Sequence, residues 1–186
     1  IVLWDLNLAG IKAVAEEISA LGAKASTHKV DVSQRASVIA AASAVSEDIG
    51  HLDVLVNNAG IVSGKSFLEL EEKDITSTFG VNTLALFWTI QAFLPGMLER
   101  DSGRLVSIAS AAGIAGSTKL TDYSGSKFAA VGVMEALRAE LREAASSVSA
   151  LTVYPFYINT GMFDGVKSSS PLLRIQNQDV ATAKIL

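Results

Sequence analysis

The strongest constraint on this chain is an alternation of two periods. Five short runs read as strands: Ile1–Trp4, Ala25–Val30, Val54–Val56, Leu105–Ala109 and Val148–Tyr154. Between them the apolar residues recur at helical spacing. Leu8, Ile11, Ala15, Ile18 and Leu21 form the first helix, which Gly22 stops; Val38, Ala42, Val45 and Ile49 form the second, with Ser33 as its expected N-cap. A long helix is predicted from about Glu71 to Leu98, and another from Tyr123 to about Glu143. Strands joined by crossover helices make a parallel sheet with helices on both faces. The expectation is an α/β fold, a doubly wound parallel sheet in three layers, α/β/α, with residues 1–186 in a single domain.

Composition narrows the function. Apolar residues make up 49% of the chain and charged residues 18%, enough for one core and low enough to suggest surface buried against another chain. Net charge is −4 with no run of Lys or Arg, so nucleic acid is not an expected partner. The chain has no Cys and only His28 and His51, both expected at the surface near strand starts, so no metal site is expected. Residues 75–98 carry no charge and are long enough to span a bilayer. They also contain Asn82, Gln91, Pro95 and several Thr, and are read as a buried or interface helix.

In a doubly wound sheet, ligands gather at the carboxyl ends of the strands. Here those ends carry Asp5, Asp31, Asn57, Ser110 and the segment Pro155–Thr160. No two Gly residues stand two apart, so the G-x-G-x-x-G phosphate fingerprint is absent. That loop precedes the strand ending in the ribose-binding acid, a position Asp5 would fill. The chain opens without Met at full strand strength and stops at Leu186. The expectation is a domain truncated at both ends, with the first strand and phosphate loop upstream of Ile1.

Tyr123 and Lys127 stand four apart at a helix start, on one face. A phenol with a pKa of about 10 is a poor base at neutral pH. A neighbouring ammonium favours the phenolate, which suits a general acid/base acting on an alcohol. Ser110 ends a strand thirteen residues earlier, followed by small residues, and Asn57-Asn58-Ala59-Gly60 ends another.

On these motifs, together with Asn82 in Val81-Asn82-Thr83, Tyr123-Ser124-Gly125-Ser126-Lys127 and Pro155 to Thr160, the chain resembles the short-chain dehydrogenases/reductases. The motifs fall in family order across nearly the whole chain. Trp4-Asp5, Ala109 to Gly113 and Thr160-Gly161-Met162-Phe163 look most like the retinol dehydrogenase and 17β-hydroxysteroid dehydrogenase-like branch. Phe156 departs from the family pattern, which has Gly after this Pro.

The resemblance implies a Rossmann-like fold and an oxidoreductase moving a hydride between NAD(H) and an alcohol/carbonyl pair on an apolar substrate. It makes Asn82, Ser110, Tyr123 and Lys127 catalytic: Tyr123 exchanges the proton, Ser110 holds the substrate oxygen, Lys127 lowers the Tyr123 pKa and binds the nicotinamide ribose, and Asn82 holds a water through its backbone. Asp5 would bind the adenosine ribose and favour NAD over NADP. Asp31 and Val32 would flank the adenine, Asn57 and Gly60 would line the cofactor floor, and Ile158 and Thr160 would meet the nicotinamide side. Alternatives are an NADP-dependent reductase of another small carbonyl compound and a scaffold protein without turnover. Substrate choice is expected in residues from Gly161 to about Leu173 and in the C-terminal stretch. A homodimer or homotetramer is expected through the helices at 71–98 and 123–143. Phe87, Trp88 and Phe93 are read as core or subunit contacts. The compartment stays open: cytoplasmic, or on endoplasmic reticulum or lipid droplets through an anchor before Ile1.

Overall fold

The computed structural model describes residues 1–162 and 175–185. Its strands are β1 (Val2–Asp5), β2 (Ser26–Lys29), β3 (Val54–Asn57), β4 (Arg104–Ile108) and β5 (Ser149–Val153). Its α-helices are α1 (Leu8–Ala20), α2 (Arg35–Ile49), α3 (Glu72–Phe79), α4 (Ala85–Glu99), α5 (Thr121–Glu143) and α6 (Gln178–Ile185). The ladders are parallel, as crossover helices require: β1 pairs with β2, and β4 lies between β3 and β5.

Register decides which face forms the core. Leu55, Leu105 and Ala150 lie side by side across β3, β4 and β5. They pack with Leu86, Ile90, Phe93 and Met97 of α4, Ala130, Met134 and Leu141 of α5, and Ala42 and Val45 of α2. The stretch 72–99 is long and apolar enough to cross a membrane, and one face of α4 is buried in this core. The alternate residues Val54, Val56 and Leu151 point to the other face and are 46%, 53% and 51% exposed.

The two sheets do not join. Between β1 and β3 lies a cavity of about 530 Å³, walled by Val2, Leu3 and Trp4 on one side and by Val54, Leu55 and Val56 on the other. Each strand turns toward it the edge that no other strand pairs among the described residues.

The helix expected over 71–98 is present over Glu72–Glu99, but its period changes part-way along. Gly80–Leu84 forms a π-helical turn between α3 and α4, and Asn82 and Thr83 are buried in it. Such an extra residue in a helix recurs at functional sites, and the apolar period does not register it. Two short 3₁₀ turns, Phe67–Glu69 and Ala111–Gly113, and α6 were not anticipated either, although Ser66 and Glu69 form a capping box around the first turn. Ser33 does not cap α2. Its hydroxyl donates to Asp31 Oδ1 at 2.6 Å, and Gln34 takes the cap position without a side-chain bond. His28 lies within β2 opposite Trp4 and is partly buried, while His51 is exposed beside Asp53.

Candidate active site

The site is built around the first two turns of α5. Asp122, Tyr123, Ser124, Ser126 and Lys127 are all buried, and a buried polar group must find a partner. The Tyr123 hydroxyl bonds with Ser110 at the exit of β4. The Ser110 hydroxyl also accepts from the Ala112 amide at 3.1 Å. The Ala111 amide donates to the Pro155 carbonyl at 2.9 Å, tying this exit to the segment after β5. Gly113 allows the loop to press on α5: a Cβ there would lie 2.8 Å from the Lys127 carbonyl oxygen.

Lys127 Nζ donates to the Ile108 carbonyl at 2.8 Å and sits 5.7 Å from the Tyr123 ring centroid. Burial lowers the Lys127 pKa to about 8. Burial also raises the Tyr123 pKa above its ordinary value; the Ser110 bond opposes this, and Tyr157 adds to it. Within the polypeptide itself, then, the Tyr123 pKa moves up, against the lowering that the sequence led us to expect, because loss of solvation is the largest influence on it.

Asn82 clasps the loop after β3. Its Oδ1 accepts from the Ile61 amide at 2.9 Å, and its Nδ2 donates to the Ile61 carbonyl and to Ser126 Oγ, each at 3.0 Å. Ser126 Oγ donates onward to the Tyr123 carbonyl at 2.7 Å, and Thr83 Oγ1 donates to the Ser126 carbonyl at 2.9 Å. Asn82 thus acts through its side chain as a brace between the π turn, the loop and α5.

The cavity between the sheets runs on to this polar end, where Asp5, Val32, Asn57, Asn82 and Lys127 line it. Asp5 Oδ1 accepts from the Asn7 amide at 2.8 Å on an exposed side chain. Asn57 Oδ1 accepts from Thr89 Oγ1 at 2.6 Å, while its Nδ2 is buried without a partner among the described residues. A Cβ on Gly60 would lie 3.5 Å from Asn82 Oδ1 and 3.6 Å from Lys127 Nζ, so Gly60 keeps the space beside both open.

Asp31 is not brought to this wall. Its Oδ1 is committed to the amide and hydroxyl of Ser33. Ile158 pairs with Gln176 in a single bridge, and Thr160 is exposed on the same segment. Of the expected specificity loop, Gly161 and Met162 are described and residues 163–173 lie outside the described residues. Sequence reasoning passed over Asp122, Ser126 and Tyr157. The i, i+4 spacing of Asp122 and Ser126, beside that of Tyr123 and Lys127, was the available signal.

The Lys127 shift has a consequence for stability. A folded pKa of about 8 against the usual 10.5 means the unfolded chain binds more protons between those values. Stability therefore rises as pH climbs from about 8 toward 10.5, and burying the ammonium costs most below pH 8. Lys127→Met is expected to raise the Tm at pH 7, with the gain shrinking toward pH 10. A Tm lowered at pH 7, measured by calorimetry, would contradict this.

Residues 1–170 match the family model described as short chain dehydrogenase. Human epidermal retinol dehydrogenase 2 is 39% identical over 189 residues, covering 100% of this chain and 61% of the relative. Estradiol 17-beta-dehydrogenase 11 of Pongo abelii is 40% identical over 170 residues, covering 91% of this chain and 57% of the relative. The chain thus spans about three fifths of the length of these curated relatives. Among solved structures, a short chain dehydrogenase/reductase from Burkholderia phymatum in complex with NAD superposes with a TM-score of 0.84 at 30% identity, covering 100% of this chain and 68% of that one. A metagenomic short-chain oxidoreductase in complex with NADP gives 0.78 at 31% identity, covering 83% and 69%. The brace of Asn82, the Ser110–Tyr123 pair and the buried Lys127 therefore sit in a fold with known relatives, and the chain belongs to the short-chain dehydrogenase/reductase family.

Proposed function

We propose that this chain carries the catalytic core of an NAD-dependent oxidoreductase that interconverts an apolar alcohol and its ketone or aldehyde. The observation that carries the reading is the Tyr123 hydroxyl held against Ser110, with Lys127 on the same helix face lining the cavity. Two relatives named for retinol and estradiol support an apolar alcohol as the substrate class.

Tyr123 exchanges the proton with the substrate oxygen. Its raised pKa keeps it protonated at neutral pH, the form that donates to a carbonyl oxygen. Ser110 orients that oxygen against the phenol. The residues present fit a dinucleotide: Asp5 carries a carboxylate for the adenosine ribose, Asn57 Nδ2 is a buried donor lacking a partner, and Gly60 leaves room beside Lys127 and Asn82. Val32 adds an apolar wall, and Ile158 and Thr160 stand on the segment facing the β4 exit. NAD(H), when bound, takes or supplies the hydride. A further parallel strand between β1 and β3 would pair both open edges and carry the phosphate loop at its carboxyl end.

Tyr123→Phe in the full-length protein should lower kcat by about two to four decades while cofactor affinity stays near normal. Near-normal turnover in steady-state assays would remove Tyr123 as the acid/base.

Asp5 sets the cofactor. A carboxylate there repels a 2′-phosphate, so NADH should bind more tightly than NADPH, and Asp5→Ser should narrow or reverse the preference. Fluorescence titration showing tighter NADPH binding to the unmodified protein would refute this role.

We also propose a homodimer through α4 and α5. Leu84 at the end of the π turn and Phe87 and Leu98 of α4 are 44%, 40% and 43% exposed on one stripe, and Phe128 is 46% exposed on α5. Phe93 belongs to the core, and Trp88 lies half-buried under Arg35, so Phe87 carries the contact. Light scattering at micromolar concentration should give a dimer mass that Phe87→Glu breaks. A monomer mass for the unmodified protein would exclude the interface.

A further inference from the structure

Asp122 is a buried acid that the reaction does not use. It is 3% exposed, and among the described residues it forms no ion pair. Its Oδ1 accepts from Ser63 Oγ and its Oδ2 from Thr78 Oγ1, both at 2.9 Å. Those donors lie 59 and 44 residues away in sequence, one in the loop after β3 and the other on α3. Thr78 is itself 1% exposed.

The end of α5 needs such an anchor. Leu120 occupies its N-cap and makes no side-chain capping bond, so the first turn has no local means of satisfying its free amides. An uncapped first turn frays readily, yet this turn carries Tyr123. Asp122 stands in that turn, where a negative charge also complements the helix dipole. Four residues on, Ser126 bonds Asn82, and Thr78 and Asn82 are likewise four apart. Two rungs, Asp122–Thr78 and Ser126–Asn82, thus join α5 to the α3–π segment beside the face of Tyr123 and Lys127.

We propose that Asp122 is the positioning residue for Tyr123: its two hydroxyl bonds hold the first turn of α5 in place and keep the phenol against Ser110. The catalytic side of this inference rests on the function proposed above; the positional side does not. Asp122→Ala removes both bonds. Asp122→Asn keeps the shape, with Oδ1 accepting from one hydroxyl and Nδ2 donating to the other oxygen.

The test measures the position of Tyr123 directly, in the full-length protein. Tetranitromethane nitrates accessible tyrosines, and mass spectrometry reads each site. Tyr123 is 5% exposed, and Tyr154, at 37%, serves as internal reference. The nitration ratio of Tyr123 to Tyr154 should rise about tenfold in Asp122→Ala and return near the wild-type value in Asp122→Asn. If Asp122→Ala does not fold, the pair Ser63→Ala/Thr78→Val should raise the ratio in the same way. An unchanged ratio in the folded variant overturns the proposal, and so does an Asp122→Asn ratio no nearer to wild type than that of Asp122→Ala. Kinetics give the second arm. In Asp122→Ala, kcat should fall about ten- to a hundredfold with KM within about threefold; a raised KM at unchanged kcat counts against positioning. A wild-type protein that turns over no alcohol or carbonyl would sink the proposed function, and the nitration ratio would still decide the role of Asp122.

Discussion

Burial of a polar helix start is the constraint on which this structure turns. The sequence Asp122-Tyr123-Ser124-Gly125-Ser126-Lys127 would suit the surface, yet its five side chains are each at most 6% exposed. Each such group costs free energy comparable to a lost hydrogen bond unless it is partnered. Their partners draw the surrounding segments into place: Ser110 and the Ile108 carbonyl from β4 and its exit, Asn82 and Thr83 from the π turn, Ser63 from the loop after β3, and Thr78 from α3. Ser124 Oγ is the exception, buried without a partner among the described residues. The geometry around Tyr123 follows from satisfying that helix start.

The same burial sets the electrostatics. It moves Tyr123 and Lys127 toward their neutral forms, the phenol upward and the amine downward to about 8. A proton is therefore held on Tyr123 and loosely on Lys127, in a setting of low dielectric where each is sensitive to charge brought nearby. Tyr157 acts in the direction that keeps Tyr123 protonated, and Ser110 acts against it. The stability lost by desolvating Lys127 is a cost that a purely structural helix would avoid by placing an apolar residue there.

Strand and helix periods were legible because burial imposes them on every residue of a segment. The five strands, α1, α2, α4 and α5 all fall within the predicted runs, with ends displaced by a residue or two. The π turn was not legible, because one added residue leaves the apolar pattern of Leu86, Ile90, Phe93 and Met97 intact downstream. Capping misled for a local reason: Ser33 has the right chemistry for a cap, but the helix begins one residue later, and the Ser33 hydroxyl donates to Asp31 at 2.6 Å. Tyr123, Lys127 and Ser110 stood out through spacing and strand position. Asp122 did not, because its partners are supplied by segments far away in sequence. The direction of the Tyr123 shift was also beyond reach, since spacing gives proximity to an ammonium and says nothing of the solvation both groups lose.

Sheet and site share a wall, which couples their energetics. Asn57 ends β3 and joins the apolar part of the cavity to its polar end. Its Oδ1 is tied to α4 through Thr89, and its Nδ2 has no partner among the described residues. Trp4, on the opposite wall, packs against Phe93 of α4 at 5.8 Å, and its indole nitrogen is buried without a partner among the described residues. Any group that enters this space gains by covering Val54 and Val56 at about 25 cal/mol per Å² of apolar surface. The edges of β1 and β3 that face this space pair with no other described strand, so a β-strand entering it would supply apolar cover and backbone hydrogen bonds together. Lys127 lines the same cavity, so filling it would further exclude water from the amine and deepen the shift that burial already imposes on it.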